Sequence, residues 1–301
     1  MTLSTMKKIA FFLLSGTLLL ATSLNGIAQR EVNEPLVNDG VYERETIKQR
    51  IPIPYPHLRE ADMMWTRRMW RNLDLRERMN HPLYFPTVRM HDRTSLIQRL
   101  MDAIKYNEIN AYDADVDDEF SALISYDQIL TKLGAQDTER QDISPTTGRD
   151  TTIIIPGSIT WTEIRELEIK EEWFFDKQHS TMQVRILGIC PIRVYTRIPQ
   201  GQEDLEITGE LHKMRLFWIY YPHARSILAN TAVFNELNDA QRNSFDDIFF
   251  KRKFSSYIVQ ESNVFDNRRI SVYTFGGIPN MQESERIRNE MFTFEHDLWE
   301  Y

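Results

Sequence analysis

The 301-residue sequence predicts an α+β fold, with an N-terminal helical half followed by a mixed half of antiparallel hairpin strands and helices. Two patterns lead to this prediction. Apolar residues recur every three or four positions between Glu60 and Leu133, which is typical of amphipathic helices. Apolar and polar residues alternate from Leu167 to Ile186 on both sides of a polar turn, which is typical of a β-hairpin. Strands and helices do not alternate regularly, so a parallel βαβ sheet is not expected.

Three helices are predicted in the N-terminal half. They cover Glu60 to Met79, Asp92 to Ile104 and Asp118 to Leu133. Gly134 follows the third helix and is expected to cap its C-terminus. The polar stretch 134–150 reads as a loop and is a possible sub-boundary inside an α+β domain over 59–301.

The mixed half begins with a strand over Thr151 to Ile155. A hairpin follows, whose turn lies at Asp176 to Ser180. Further strands are expected over Met214 to Tyr220 and Ile270 to Phe275. Asn238 and Gln241 indicate the start of a helix that runs through Phe250, and a last helix covers Met281 to Trp299.

The N-terminus has the organisation of a secretory signal peptide. Lys7 and Lys8 precede a mainly apolar run over 9–20, and small and polar residues follow up to Ala28. This predicts a signal peptide over 1–28 and a mature start at Gln29. The apolar core, roughly 12 residues long, is too short to span a bilayer. Export without a cysteine next to the signal also predicts no direct lipid anchor.

Charge and cysteine content exclude several classes of protein. The chain carries 36 basic and 44 acidic residues, and its formal net charge of −8 disfavours a nucleic-acid partner. Its one cysteine, Cys190, rules out an internal disulfide and a multi-cysteine zinc site. Cys190 follows an apolar run, so we expect a buried thiol without a chemical role.

Residues 29–58 read as an extended, proline-rich arm. Pro52, Pro54 and Pro56 alternate with Ile51, Ile53 and Tyr55, which restricts the backbone and removes hydrogen-bond donors. Such an arm is either a linker or a strip that packs along a neighbouring subunit. The sequence does not choose between the two.

The sequence contains no catalytic motif, and we expect neither an enzyme nor a cofactor. Glycine-rich phosphate loops, nucleophile elbows and paired metal-binding histidines on one helix face are all lacking. Asp113, Asp115 and Asp117 match the first ligand positions of a calcium loop. However, Asp118 replaces the required glycine, and Ile124 replaces the bidentate glutamate. A solvated acidic turn is therefore favoured over a metal site.

Two helices carry more apolar residues than a single stripe requires, and these additional residues are the candidate partner-binding residues. On the first predicted helix, Met63 and Trp70 lie beside Arg67, opposite the stripe that contains Trp65. On the last helix, Phe292 and Trp299 lie off the main stripe. Each helix is either enclosed within the core or docks a partner. We hypothesise that Trp65 packs in the subunit's own core while Trp70 meets a partner.

Long aromatic-rich strings give the chain a family resemblance. They are Arg59 to Trp65, reading Arg-Glu-Ala-Asp-Met-Met-Trp, then Ile169 to Lys177, and Trp218 to Pro222. In these strings the chain resembles, from end to end, the GldN family of the Bacteroidetes type IX secretion system, called PorN in non-gliding species. No functional residue list attaches to these strings.

The resemblance implies a non-catalytic, periplasmic structural subunit of the protein secretion and gliding motility machinery. It implies self-association in a ring complex with the lipoprotein GldK/PorK, at the inner face of the outer membrane. It also implies a link to the periplasmic part of the motor component GldM/PorM. The alternative is a periplasmic solute-binding or carrier protein, which would be a monomer with a ligand-sized cleft.

Overall fold

The chain forms two compact units, Met1–Glu43 and Arg44–Tyr301. The computed structural model describes residues 41, 47, 49–90, 93–135, 138–143, 150–155, 157–196, 211–235, 238 and 240–298. Every element named below lies in the second unit. The predicted signal peptide, most of the predicted arm and the predicted mature start at Gln29 lie outside the described residues.

The first predicted helix is wrong, because this segment is a long strand. A 3₁₀ turn at Glu60–Asp62 leads into strand β1, Met63–Asp74. Residues four positions apart share one face of a helix, but four is also an even number, so they share one face of a strand as well. Hydrogen bonding to a distant strand therefore decides the conformation here.

The rest of this half is only partly helical, so the expected N-terminal helical half is not observed. Its elements are α1 His81–Tyr84, α2 Leu96–Lys105, β2 Ala111–Asp113 and α3 Tyr126–Leu133. Helix α2 confirms the second predicted helix but starts four residues later than expected, at a capping box formed by Ser95 and Gln98. Helix α3 is shorter than expected, yet Gly134 caps it in the left-handed conformation, with φ of 68°.

The mixed half was predicted more successfully. Its strands are β3 Thr138–Ile143, β4 Asp150–Ile155, β5 Ile164–Asp176, β6 Thr181–Thr196, β7 Leu211–Arg215, β8 Phe217–Tyr220, β9 Ala232–Val233, β10 Asn243–Ser244 and β11 Tyr257–Glu261. Its helices are α4 Tyr221–Ala229, α5 Phe245–Phe250, α6 Ile270–Tyr273 and α7 Gly277–Asp297. The β5–β6 hairpin and the final helix are confirmed.

Four details of this half differ from expectation. The single strand expected over Met214 to Tyr220 is divided into β7 and β8. The stretch 134–150 contains strand β3 rather than only a loop. Helix α5 starts after Ser244, whose side chain forms a capping box with Asp247, and not near Asn238. Ile270–Tyr273 is a short helix instead of a strand. No helix in the described part of the chain combines the length and apolar character needed to cross a membrane.

The main sheet is antiparallel, with the order β11-β1-β5-β6-β8-β2, and β7 pairs with a further part of β6. Strand β1 pairs with β5 along its length, from Met63 opposite Asp176 to Asp74 opposite Glu166. These long strands form the frame on which the helices and the sites described below are placed.

The two faces of the sheet bury different side chains. Phe217 and Ile219 of β8 belong to the main core, together with Leu73 of β1. Trp218, between them in sequence, belongs to a small cluster that includes Trp70. Successive residues of a strand point to opposite faces, so Trp70 and Trp218 define the second face of the sheet.

Candidate interaction surface and charged cavity

Trp70 is a core residue, which corrects its assignment as a partner-binding residue. Its side chain is only 3% exposed and packs in a cluster with Cys190 and Trp218. The Lys170 ammonium lies 5.4 Å from the centre of its ring, a distance at which cation–π attraction operates. Trp70 was expected on the outside because a helix was expected here. In the strand, its side chain points to the second face of the sheet, where Cys190 and Trp218 cover it.

Met63 and Arg67 of β1 are half-buried and remain candidate partner contacts. The Arg67 guanidinium lies 2.7 Å from the Glu261 carboxylate and 3.9 Å from that of Glu290. The ring of Trp65 lies 4.9 Å from that of Phe294 on α7, so Trp65 packs against its own chain but is only half-buried.

Only one of the two candidates on the last helix lies in the described part of the chain. Phe292 is 68% exposed, whereas Trp299 lies outside the described residues. Of the four candidates in the described part of the chain, one is buried, two are half-buried on β1, and one is exposed on α7. Whether the exposed and half-buried ones bind a partner stays a prediction.

An exposed apolar surface that sequence reasoning missed lies between positions 264 and 281. Its members are large apolar residues that are more than half exposed: Val264, Phe265, Val272, Phe275, Ile278 and Met281. We call these six residues the 264–281 surface. Exposed apolar side chains that form a contiguous patch are typical of protein-binding sites. The segment has no regular period, and part of it was expected to be a strand, so no sequence pattern marked it.

A charged cavity of about 480 Å³ adjoins β1, β5 and β7. Asn72 of β1 is buried in its wall and donates from Nδ2 to Glu166 Oε2 at 2.8 Å and to the Tyr257 hydroxyl at 2.9 Å. The Lys213 ammonium donates to the other Glu166 oxygen at 2.6 Å. The same wall carries Glu168, which is almost completely buried.

Glu168 is held between two arginines. Its Oε1 accepts a hydrogen bond from Arg215 Nη2 at 3.1 Å and another from Arg269. Burial raises the pKa of the Glu168 carboxyl to about 7, although the Arg215 guanidinium opposes this by stabilising the charged form. With Lys213, the cavity holds three cationic groups against the two carboxylates of Glu166 and Glu168.

The cavity could not be located from the sequence. In the predicted hairpin, Glu168 was only one of the polar residues that alternate with apolar ones. In the folded chain, Arg215 from β7 and Arg269 from the segment before α6 form ion pairs with the Glu168 carboxylate. The local sequence of β5 does not indicate these ion pairs, because Arg215 and Arg269 lie 47 and 101 positions after Glu168.

Carboxylates of the acidic turn after β2 form ion pairs with a lysine. The Lys132 ammonium lies 2.7 Å from Asp113 Oδ1 and 2.6 Å from Asp115 Oδ2. The hydrogen bond from Lys132 is the main cause that lowers the pKa of Asp113. Within the described ranges, no group of three or more histidine, cysteine, aspartate or glutamate residues is arranged to hold a metal ion.

Cys190 is completely buried in the Trp70 cluster, which confirms the prediction of a buried thiol. Burial raises the pKa of this thiol, with a smaller contribution from the nearby Glu168 carboxylate. The reactive thiolate form is therefore disfavoured.

These features define an α+β protein built on a long antiparallel sheet, whose 264–281 surface has the character of a protein-binding site. Residues 58–300 match the family described as "Gliding motility associated protein GldN", and the chain belongs to this family. The resemblance noted from the sequence is thus confirmed. No curated protein matches the chain at a significant level.

Proposed function

We propose that the chain is a non-catalytic structural subunit of the type IX protein secretion and gliding motility machinery. The observation that carries this proposal is the family match over residues 58–300, which covers the sheet, the cavity and the 264–281 surface. The family consists of gliding-motility-associated proteins, and the chain works by binding other proteins rather than by chemistry.

The proposed partner is the lipoprotein GldK/PorK, with which copies of the chain form a ring in the periplasm. The lipoprotein holds this ring at the inner face of the outer membrane, and the periplasmic part of GldM/PorM links it to the motor. The 264–281 surface supports this assignment, since Phe275 and Ile278 offer apolar side chains of the kind that dominate protein interfaces.

The proposal is tested by co-purification of the full-length chain with the lipoprotein from the native periplasm. The double substitution Phe275→Asp and Ile278→Asp places two charges on the 264–281 surface. We expect this variant to keep its melting temperature and to lose most of the co-purifying lipoprotein. Val88→Asp is the matched control, because Val88 is equally exposed and lies outside that surface. A wild-type chain that is monomeric beside the lipoprotein contradicts the proposal.

The charged cavity favours the alternative of a periplasmic solute-binding or carrier protein. A volume of about 480 Å³ lies within the range of small-molecule sites. The excess of cations over Glu166 and Glu168 would suit a small molecule with an acidic group. In that case the chain would be a monomer, and small organic acids would raise its melting temperature. Arg269→Met would abolish that increase.

A further inference from the structure

The arm segment Ile51–Pro56 can donate backbone hydrogen bonds from only one of its two edges. Ile51, Ile53 and Tyr55 each precede a proline, which restricts them to extended conformations. In an extended strand, the backbone groups of alternate residues point to the same edge. Three N–H donors therefore lie along one edge of the segment, while the prolines leave the other edge without donors.

Both ends of the segment are attached to the chain's own domain. Arg50 forms an ion pair with Asp247 of α5. The Tyr55 ring lies 4.3 Å from the Arg225 guanidinium and 5.1 Å from that of Arg185, measured to the ring centre. These contacts hold the segment in place close to strand β6, in which Arg185 lies.

The middle of the segment has little contact with the rest of the chain. Ile51 is 85% exposed and Ile53 is 57% exposed. Among the residues that the structure describes, none makes a backbone hydrogen bond to the N–H of Ile51, Ile53 or Tyr55. An extended, proline-restricted strand with exposed isoleucines, whose donors bond to no backbone group of the described residues, is thus available to another sheet edge.

Strand β1 has an open edge over its first half. Strand β11 pairs with β1 only from Met69 to Asn72, and Ser262 adds a hydrogen bond from its N–H to the Arg68 carbonyl at 2.9 Å. Before Arg68, no other described residue pairs with this side of β1. Since bonding directions alternate along a strand, the N–H and C=O of Thr66 also point to this open side.

Exposed apolar side chains flank this edge. Met64 is 67% exposed and lies at the irregularity near the start of β1. Val264, two residues beyond Ser262, is even more exposed. An added strand that carries isoleucines would bury apolar surface here in addition to forming backbone hydrogen bonds.

Within its own copy the arm is attached elsewhere, to side chains of β6, α4 and α5. In the sheet, β5 separates β1 from β6, so β1 and β6 lie about 10 Å apart. Arg185 Nη2 donates to the Pro56 carbonyl at 2.6 Å, which places the arm on the β6 side. The open side of β1 faces the opposite direction, away from β5 and β6.

We propose that the segment Ile51–Tyr55 of one copy adds as an edge strand to β1 of a second copy, opposite Met64–Thr66. The contact joins two different surfaces, so each copy offers one arm and accepts one arm. Such head-to-tail contacts generate rings or filaments. The inference rests on the proposed self-association in a ring and names the residues that would join its neighbouring copies.

Disulfide cross-linking between differently tagged copies tests this pairing. In a Cys190→Ala background, one full-length copy carries Ile53→Cys and the other carries Thr66→Cys, and both are co-expressed with the lipoprotein. We expect a mixed disulfide between the two tags, because directly paired residues lie within disulfide range. Ile53→Cys combined with Val88→Cys is the matched control and should give none.

A second variant pair tests the backbone hydrogen bond without cysteines. Ile53→Pro keeps the segment extended but removes one N–H donor, whereas Ile53→Val keeps the donor. We expect Ile53→Pro to weaken self-association about tenfold in sedimentation experiments, and Ile53→Val to have little effect.

The outcomes separate this inference from the proposed function. Assemblies that form with the lipoprotein but give no mixed disulfide, and that tolerate Ile53→Pro, overturn the strand pairing and leave the proposed function intact. A chain that forms no assembly with the lipoprotein overturns both.

Discussion

Replacing Trp70 by alanine should destabilise the protein by about 3–5 kcal/mol, the usual cost of removing a buried tryptophan. The residue is 3% exposed and packs beside Cys190 and Trp218. Loss of the cation–π contact with Lys170, 5.4 Å from the ring centre, adds up to about 1 kcal/mol. Trp65→Ala should cost roughly half as much, because Trp65 is half-buried and its stacking against Phe294 is partly open to solvent.

Urea unfolding of the purified chain, followed by circular dichroism, measures both free energies of unfolding. Trp70→Phe is the matched control. The Trp70 Nε1 is buried and has no hydrogen-bond partner in the described part of the protein. Its removal therefore leaves no partner unsatisfied, and phenylalanine should cost only about 1–2 kcal/mol. A Trp70→Ala variant as stable as wild type, or a larger loss for Trp65→Ala, would refute the assignment of Trp70 to the core.

Three further predictions concern single residues. Gly188→Ala should lower stability by about 1–3 kcal/mol in the same urea assay, because an added Cβ would lie 2.7 Å from Cζ of Phe120. Cys190 should resist alkylation in the native state, measured by mass spectrometry, and Cys190→Ala should preserve secretion with a modest loss of melting temperature. The lowered pKa of Asp113 means that its bond to Lys132 stabilises the fold fully above about pH 4, and this stabilisation is lost as the pH falls through the lowered pKa. In the same urea assay, Asp113→Asn should therefore be less stable than wild type at pH 7, by less than about 1 kcal/mol, and the difference should shrink as the solution is acidified.

Local signals predicted those parts of the fold in which the deciding contacts are close in sequence. The apolar spacing after Asp92 predicted α2, and Gly134 was expected at the end of α3, where it lies. The β5–β6 hairpin follows from alternation around a short polar turn. In each case the residues that form the structure lie within a few positions of one another, so a single segment contains the information.

Strand β1 shows where such reasoning fails. Trp65, Met69 and Leu73 are spaced by four, which suits one face of a helix and one face of a strand equally well. Trp70 lies off this stripe in either conformation, and it is buried because the second face of the sheet is covered by the Trp218 cluster. The pairing of β1 with β5, about a hundred positions later, makes the choice.

The sequence by itself determined the family, the acidic charge, the lack of a catalytic motif, the hairpin, the final helix and the buried state of Cys190. Only the tertiary structure decided that β1 is a strand, that Trp70 is buried, and that Glu168 lies between Arg215 and Arg269. It also decided which edge of β1 is open and where the arm is attached. The physical reason is that strand pairing, burial and ion pairing depend on partners far away in sequence, and only the folded chain brings those partners together.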